Sequence, residues 1–277
     1  MRLSLTVFGC HVTVQCEDAD TRALLVANYR HLHSRLHPGD VRYVISRPRH
    51  PHGAPPFGIV RAGQVPLVAA EVGEFLWLFE KDMTMALQQL RPDLYFVHAG
   101  VLTFRRRAFM LIGPSGSGKS TTTWALLHHG CRYLSDELGA VDLRTRAVWP
   151  YPHALCLKQE PPRAYPLPDQ TLRTAHTWHI PTATLPGGVG RVATPLVAAF
   201  FLQYRPEAPH PAVRPLSHAA ATARLLANAL NPLAHPEAGL EGAITLMSGV
   251  VPFELCSAEL TATCALIIEA LRRVAPR

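Results

Sequence analysis

Gly113-Pro114-Ser115-Gly116-Ser117-Gly118-Lys119-Ser120-Thr121 matches the pattern G-x-x-x-x-G-K-[ST] without a mismatch. An apolar run, Phe109-Met110-Leu111-Ile112, leads into it, and residues 121–129 have helical character. Glycines let the backbone curl until successive N–H groups face inward as an anion nest. The start of the following helix adds positive dipole at the same spot. The stretch therefore predicts a phosphate-binding loop for a nucleoside triphosphate, with Gly113, Pro114, Ser115, Gly116, Ser117, Gly118, Lys119, Ser120 and Thr121 as its binding residues. In that reading Lys119 reaches the β- and γ-phosphates and the Ser120 hydroxyl holds Mg²⁺.

On either side of the loop, the reading extends to a sheet. Residues 96–104 and 109–113 read as two strands joined by Arg105-Arg106-Arg107, a connection short enough to make them antiparallel. The loop-bearing strand then has an antiparallel neighbour, and the sheet is mixed. Downstream, Gly130 stops the helix, and residues 131–135 form a strand ending at Asp136-Glu137, seventeen residues after Lys119. The next strand in the sheet would bring that pair beside the phosphates. One carboxylate can hold Mg²⁺ while the other takes a proton from an incoming hydroxyl. Residues 154–157 read as a strand delivering Lys158. Only three of the 27 basic residues are lysines: Lys81, Lys119 and Lys158. A chain so biased to arginine keeps lysine where a compact ammonium is needed, which singles out Lys158 beside Lys119. His98, in Phe96-Val97-His98-Ala99-Gly100, reads from spacing alone as a satisfied core histidine.

Composition sets the frame. The chain has 277 residues, 48% hydrophobic and 17% charged, with a formal net charge of +7. That is an ordinary globular composition with no run long enough to span a bilayer. Residues 1–95 carry ten Lys/Arg against nine Asp/Glu, so the excess of positive charge lies in the phosphate-binding part. No basic run is interleaved with aromatics, which argues against nucleic acid. Six cysteines without a C-x-x-C pair read as reduced thiols in a cytoplasmic protein. His31-x-His33 and His128-His129 lack acidic or cysteine partners at ligand spacing and read as exposed helix-face residues.

Along the chain, residues 3–7 and 11–15 form a hairpin about Gly9. Asp18 or Asp20 caps a helix over 21–36, and 41–46 is a strand. A Pro/His-rich stretch over 47–56 reads as a surface loop. Residues 59–61 and 65–68 pair as a hairpin, and a helix over 74–90 puts Leu76, Phe79, Met83, Leu87 and Leu90 on one face. Arg91-Pro92-Asp93 breaks it. This divides the chain into a small N-terminal α+β domain, 1–92, and a nucleotide domain, 93–277. In the latter, 160–195 reads as a long mobile loop, 196–204 as an apolar strand, 217–230 as a Ser217-capped helix, 250–255 as a strand, and 261–273 as the last helix.

The ordered set Val97-His98-Ala99-Gly100-Val101, Leu111 to Ser120, Gly130, and Leu134-Ser135-Asp136-Glu137 resembles the catalytic core of bacterial HPr serine kinase/phosphorylases. It is still more similar to divergent HPr-kinase-related proteins, some associated with the modification of ribosomally made peptides such as lasso peptides. The resemblance implies an α/β P-loop kinase core with a mixed sheet, related to that of phosphoenolpyruvate carboxykinase. It makes Asp136 the base for a serine hydroxyl, gives Glu137 and Ser120 to the metal, and sets His98 in the active site, with Lys158 touching phosphate or substrate. ATP and Mg²⁺ are the implied cofactors and a serine-bearing protein or peptide the implied partner; a homo-oligomer is compatible with it. Asp136-Glu137 stands where that family typically has Asp-Asp, and its Glu-Ile-Arg-Gly-type segment is missing. A kinase of small-molecule hydroxyls and a nucleotide-gated binding module remain open beside this reading.

Overall fold

The computed structural model describes residues 1–47 and 56–274. Most of the Pro/His-rich stretch expected as a loop lies outside them. The chain opens with β1 (Arg2–Val7) and β2 (Cys10–Cys16), an antiparallel hairpin turning through Phe8 and Gly9. α1 (Ala19–Asn28) begins at Asp18, whose carboxylate accepts from the Thr21 N–H at 2.7 Å. β3 (Val41–Ser46), β4 (Phe57–Arg61) and β5 (Leu67–Ala69) complete a five-stranded sheet in the order β1-β2-β3-β4-β5. α2 (Val72–Leu90) buries Leu76, Phe79, Met83 and Leu87 as the periodicity requires, while Leu90 stays exposed.

The expected helix over 21–36 ends eight residues early. Ser34 N–H donates to the Ser4 carbonyl at 3.0 Å and His33 bridges Leu5, so this stretch is drawn to the edge of β1. Leu36, the last residue of that expected helix, is exposed.

The second sheet has nine strands. β6 (Leu94–Val97), β7 (Ala99–Phe104) and β8 (Arg107–Ile112) precede the loop, and α3 (Lys119–His128) follows it. Next come β9 (Arg132–Ser135), β10 (Gly139–Asp142) and β11 (Ala147–Trp149). A separate three-stranded sheet is built from β12 (Leu155–Leu157), β13 (Leu172–Arg173) and β14 (Trp178–Ile180). β15 (Thr194–Tyr204), β16 (Ala212–Pro215), α4 (His218–Leu226), α5 (Leu240–Ser248), β17 (Val251–Ser257) and α6 (Leu260–Val274) finish the chain. The main strand order is β6-β10-β11-β15-β8-β7-β9, with β17 paired to β15 and β16 paired to β17. β8 lies antiparallel to β7 and parallel to β15, so the sheet is mixed, as the short arginine connection predicts.

Three expectations need correction here. The strand over 96–104 is two strands, because the chain changes partners at His98: β6 pairs with β10, whereas β7 pairs with β8 and β9. The helix over 217–230 stops at Leu226. Residues 228–230 instead donate and accept backbone hydrogen bonds along β6, including His98 N–H to the Asn228 carbonyl at 2.8 Å. The stretch 160–195 is an ordered strap rather than a structureless loop. Tyr165, Ile180, Leu185 and Val189 are buried against α3, where the Trp124 indole N–H donates to the Tyr165 carbonyl at 3.0 Å. Among the described residues, no helix is long and apolar enough to cross a membrane.

Candidate functional site

The loop from Gly113 to Gly118 leaves the end of β8 and turns into α3 through Gly116 and Gly118, with φ of +83° and +87°. Only glycine adopts such values without strain. Lys119 is buried, and its ammonium donates to the Gly113 carbonyl at 2.7 Å and the Pro114 carbonyl at 3.2 Å. Burial lowers its pKa, opposed by the charges of Glu137 and Asp136. Lys158, just past β12, donates to the Ser115 hydroxyl at 3.1 Å. Both lysines singled out by their rarity therefore converge on the loop.

Register explains the acidic pair. Two antiparallel steps, β8 to β7 to β9, make β9 parallel to β8, and Val101 of β7 stands level with both Met110 and Ser135. The ends of β8 and β9 lie on one edge of the sheet, roughly 10 Å apart at ordinary strand spacing. The acidic strand is therefore not the immediate neighbour of the loop strand; β7 intervenes, and α3 crosses above it. Gly100 allows that crossing, since a side chain there would meet the Thr123 hydroxyl at 2.7 Å. α3 thus lies close enough for Ser120 and Lys119 to influence Asp136.

Asp136 is fully buried. One carboxylate oxygen accepts from the Cys156 N–H at 3.3 Å, and the other, Oδ1, has no hydrogen-bond partner. Burial first, and the neighbouring charge of Glu137 second, hold its pKa well above the ordinary carboxylate range, against the pull of the Cys156 N–H, Ser120 and Lys119. An orphaned buried oxygen on a carboxyl that Ser120 and Lys119 also act on fits a site completed by a cation and an anion. Asp136, Glu137 and Ser120 offer only oxygen donors, a set suited to a hard divalent cation such as Mg²⁺. Among the described residues, no three His, Cys, Asp or Glu groups cluster as a metal site.

His98 falls at the break between β6 and β7, on the same edge, and its Nε2 lies 2.8 Å from Glu137 Oε2. Burial tends to raise the Glu137 pKa, but the hydrogen bond to His98, with the positive charge of Lys119 and the other basic groups nearby, keeps the group lowered. The two carboxyls are thereby differentiated: one ready to hold a proton, the other to remain charged.

The structure adds residues that sequence reasoning missed. Asn228 holds the backbone at His98, and Arg224, paired with Glu254 at 2.8 Å, stands beside it. With Phe201 to Arg205 and the loop itself, they line an open cleft of about 560 Å³. Behind the acidic pair, Glu80 of α2 approaches His153 at 3.3 Å. No local pattern signals these residues, because each arrives through a long-range pairing.

No protein-family model matches the chain, and no curated protein matches it. Among solved structures, the HPr(Ser) kinase/phosphatase from Coxiella burnetii overlaps it at 14% identity, covering 64% of this chain and 93% of that one, with a TM-score of 0.33. At that score the overlap fixes nothing about the chemistry of this chain.

Proposed function

We propose that the protein is an ATP- and Mg²⁺-dependent kinase that transfers the γ-phosphate to a serine hydroxyl of a protein or peptide, with residues 93–277 forming its kinase domain. The observation that carries this reading is Asp136, a buried carboxylate with one oxygen unpartnered, at the edge where the phosphate-binding loop, Lys119 and Ser120 converge. A nucleotide-gated binder needs cation ligands, whereas a raised-pKa carboxylate beside them suits a proton acceptor. Serine as the acceptor rests on the resemblance of segment 97–137.

In this reading the nest of 113–118 cradles the triphosphate, and Lys119 leaves its two carbonyl partners for the β- and γ-phosphates. Ser120 and Glu137 would hold Mg²⁺, which would supply neutralisation of charge on the phosphate oxygens. Asp136 takes the proton of the serine hydroxyl as the new O–P bond forms and the bond to the ADP oxygen breaks. His98 holds Glu137 in place, and Lys158, held at Ser115, adds positive charge at the loop. The open cleft beside Asn228 admits the acceptor chain. Incubation with γ-labelled ATP and candidate serine-bearing peptides tests this. Label on serine, lost in Lys119→Ala, is the expected result; free phosphate alone with every acceptor would refute transfer.

A further inference from the structure

A second cleft, of about 330 Å³, lies away from the loop and is lined by Arg30, His31, Arg132, Thr182, Val189 and Arg191, among others, without a carboxylate. Two halves of the chain build it: Arg30 and His31 follow α1, Arg132 opens β9, and 182–191 belong to the strap. None of the three arginines forms an ion pair among the described residues. Like charges gathered this way are repulsive unless an anion joins them.

The wall is held in place by contacts that leave donors over. Arg132 gives one N–H to the Val189 carbonyl at 3.0 Å, and Arg191 Nη2 lies 3.1 Å from His31 Nδ1. Accepting from a guanidinium requires a neutral imidazole at that nitrogen, and the ring is steadied on its other side by the Thr182 backbone, so the free donors of the cleft are those of the guanidinium groups. Burial, and then the charge of Arg191, lower the His31 pKa and favour that neutral form. Thr182 is 2% exposed, and its hydroxyl has no hydrogen-bond partner. Three guanidinium groups that share one cleft with no carboxylate among its lining residues are the donor set of an anion site.

We infer that this cleft is a second anion site, binding a compact, multiply charged phosphate or carboxylate compound between Arg30, His31, Arg132, Thr182 and Arg191. Arg132 and Asp136 stand at opposite ends of β9, about 13 Å apart along the strand, so the site is separate from the phosphate-binding loop. The strap is tied to β9 through Tyr133 N–H to the Gly188 carbonyl at 3.0 Å and Gly190 N–H to the Tyr133 carbonyl at 2.8 Å. An anion here adds a bridge between the N-terminal half and that strap.

Calorimetric titration with pyrophosphate and with citrate, at fixed ionic strength, tests the site. Saturable binding is expected in the wild type and in Lys119→Ala, which disables the loop. It should weaken about tenfold or more in Arg132→Gln/Arg191→Gln, and separately in Arg30→Gln. Arg30 makes neither of the two wall contacts, so Arg30→Gln reads the loss of charge with the wall intact. Tighter pyrophosphate would assign a phosphate compound, and tighter citrate a polycarboxylate. Absence of saturable binding in Lys119→Ala, or unchanged affinity in the arginine variants, would overturn the inference, whether or not the protein is a kinase.

Discussion

Glu80 and His153 show how strongly burial acts on single residues behind the acidic pair. Desolvation, with the charge of Glu137 added, pushes the Glu80 carboxyl up to about 8, and desolvation pushes the His153 imidazole down to about 4. Between about pH 4 and pH 8 both groups are therefore neutral where they approach at 3.3 Å. Folded Glu80 holds its proton more tightly than the unfolded chain does. Its contribution to stability is therefore complete below pH 4.5 and is lost as pH rises towards 8. For His153 the sign reverses, and stability present above pH 6.5 is lost as pH falls towards 4. Glu80→Gln, which cannot ionise, should melt increasingly above the wild type as pH rises from 4.5 to 8, the two converging at the acid end. Parallel melting curves across that span would mean that Glu80 folds already charged.

At the scale of elements, the β7–β8 turn makes a direct test. Arg105 and Arg106 form a two-residue hairpin loop with φ of +49° and +61°, values that both central residues of a type I′ turn require. Arginine adopts them at a cost, so Arg105→Asn/Arg106→Gly should stabilise the protein by about 1 kcal/mol, seen as a higher Tm with nucleotide affinity unchanged. An unaltered or lower Tm would show that the arginines are held by contacts beyond the turn. That hairpin is legible in the sequence, as are the loop, its helix and the acidic pair, because each is a local pattern of a few residues. What cannot be read locally is partner choice. The break at His98, the exit of 228–230 from helix to strand edge, and the position of β9 two strands from β8 all follow from pairings across large sequence distances. Lys158 is an intermediate case: its rarity marks it, while only the fold brings it to Ser115.

For the whole molecule, the boundary at 92 separates the two large sheets, yet one apolar cluster crosses it. Leu94, Phe96, Leu138, Ala140 and Tyr151 are buried together with β1, β2, α1 and α2. Phe8 packs edge-on against Phe96 with ring centroids 5.5 Å apart, and Ala154 N–H donates to the Asn28 carbonyl at 2.7 Å. Residues 93–277 expressed alone would expose this face and leave His153 without its cover. Such a fragment should aggregate or lack a cooperative thermal transition; a fragment melting at the full-length Tm would show that the N-terminal half adds nothing to the fold.

The account as a whole depends on Asp136 acting on the acceptor rather than on nucleotide binding. Asp136→Asn keeps shape and hydrogen bonding while removing the base. Measured side by side, its nucleotide affinity should stay near that of the wild type while phosphate transfer to a serine acceptor falls by roughly 10²- to 10⁴-fold, the usual worth of a general base. Transfer persisting at the wild-type rate would contradict the account.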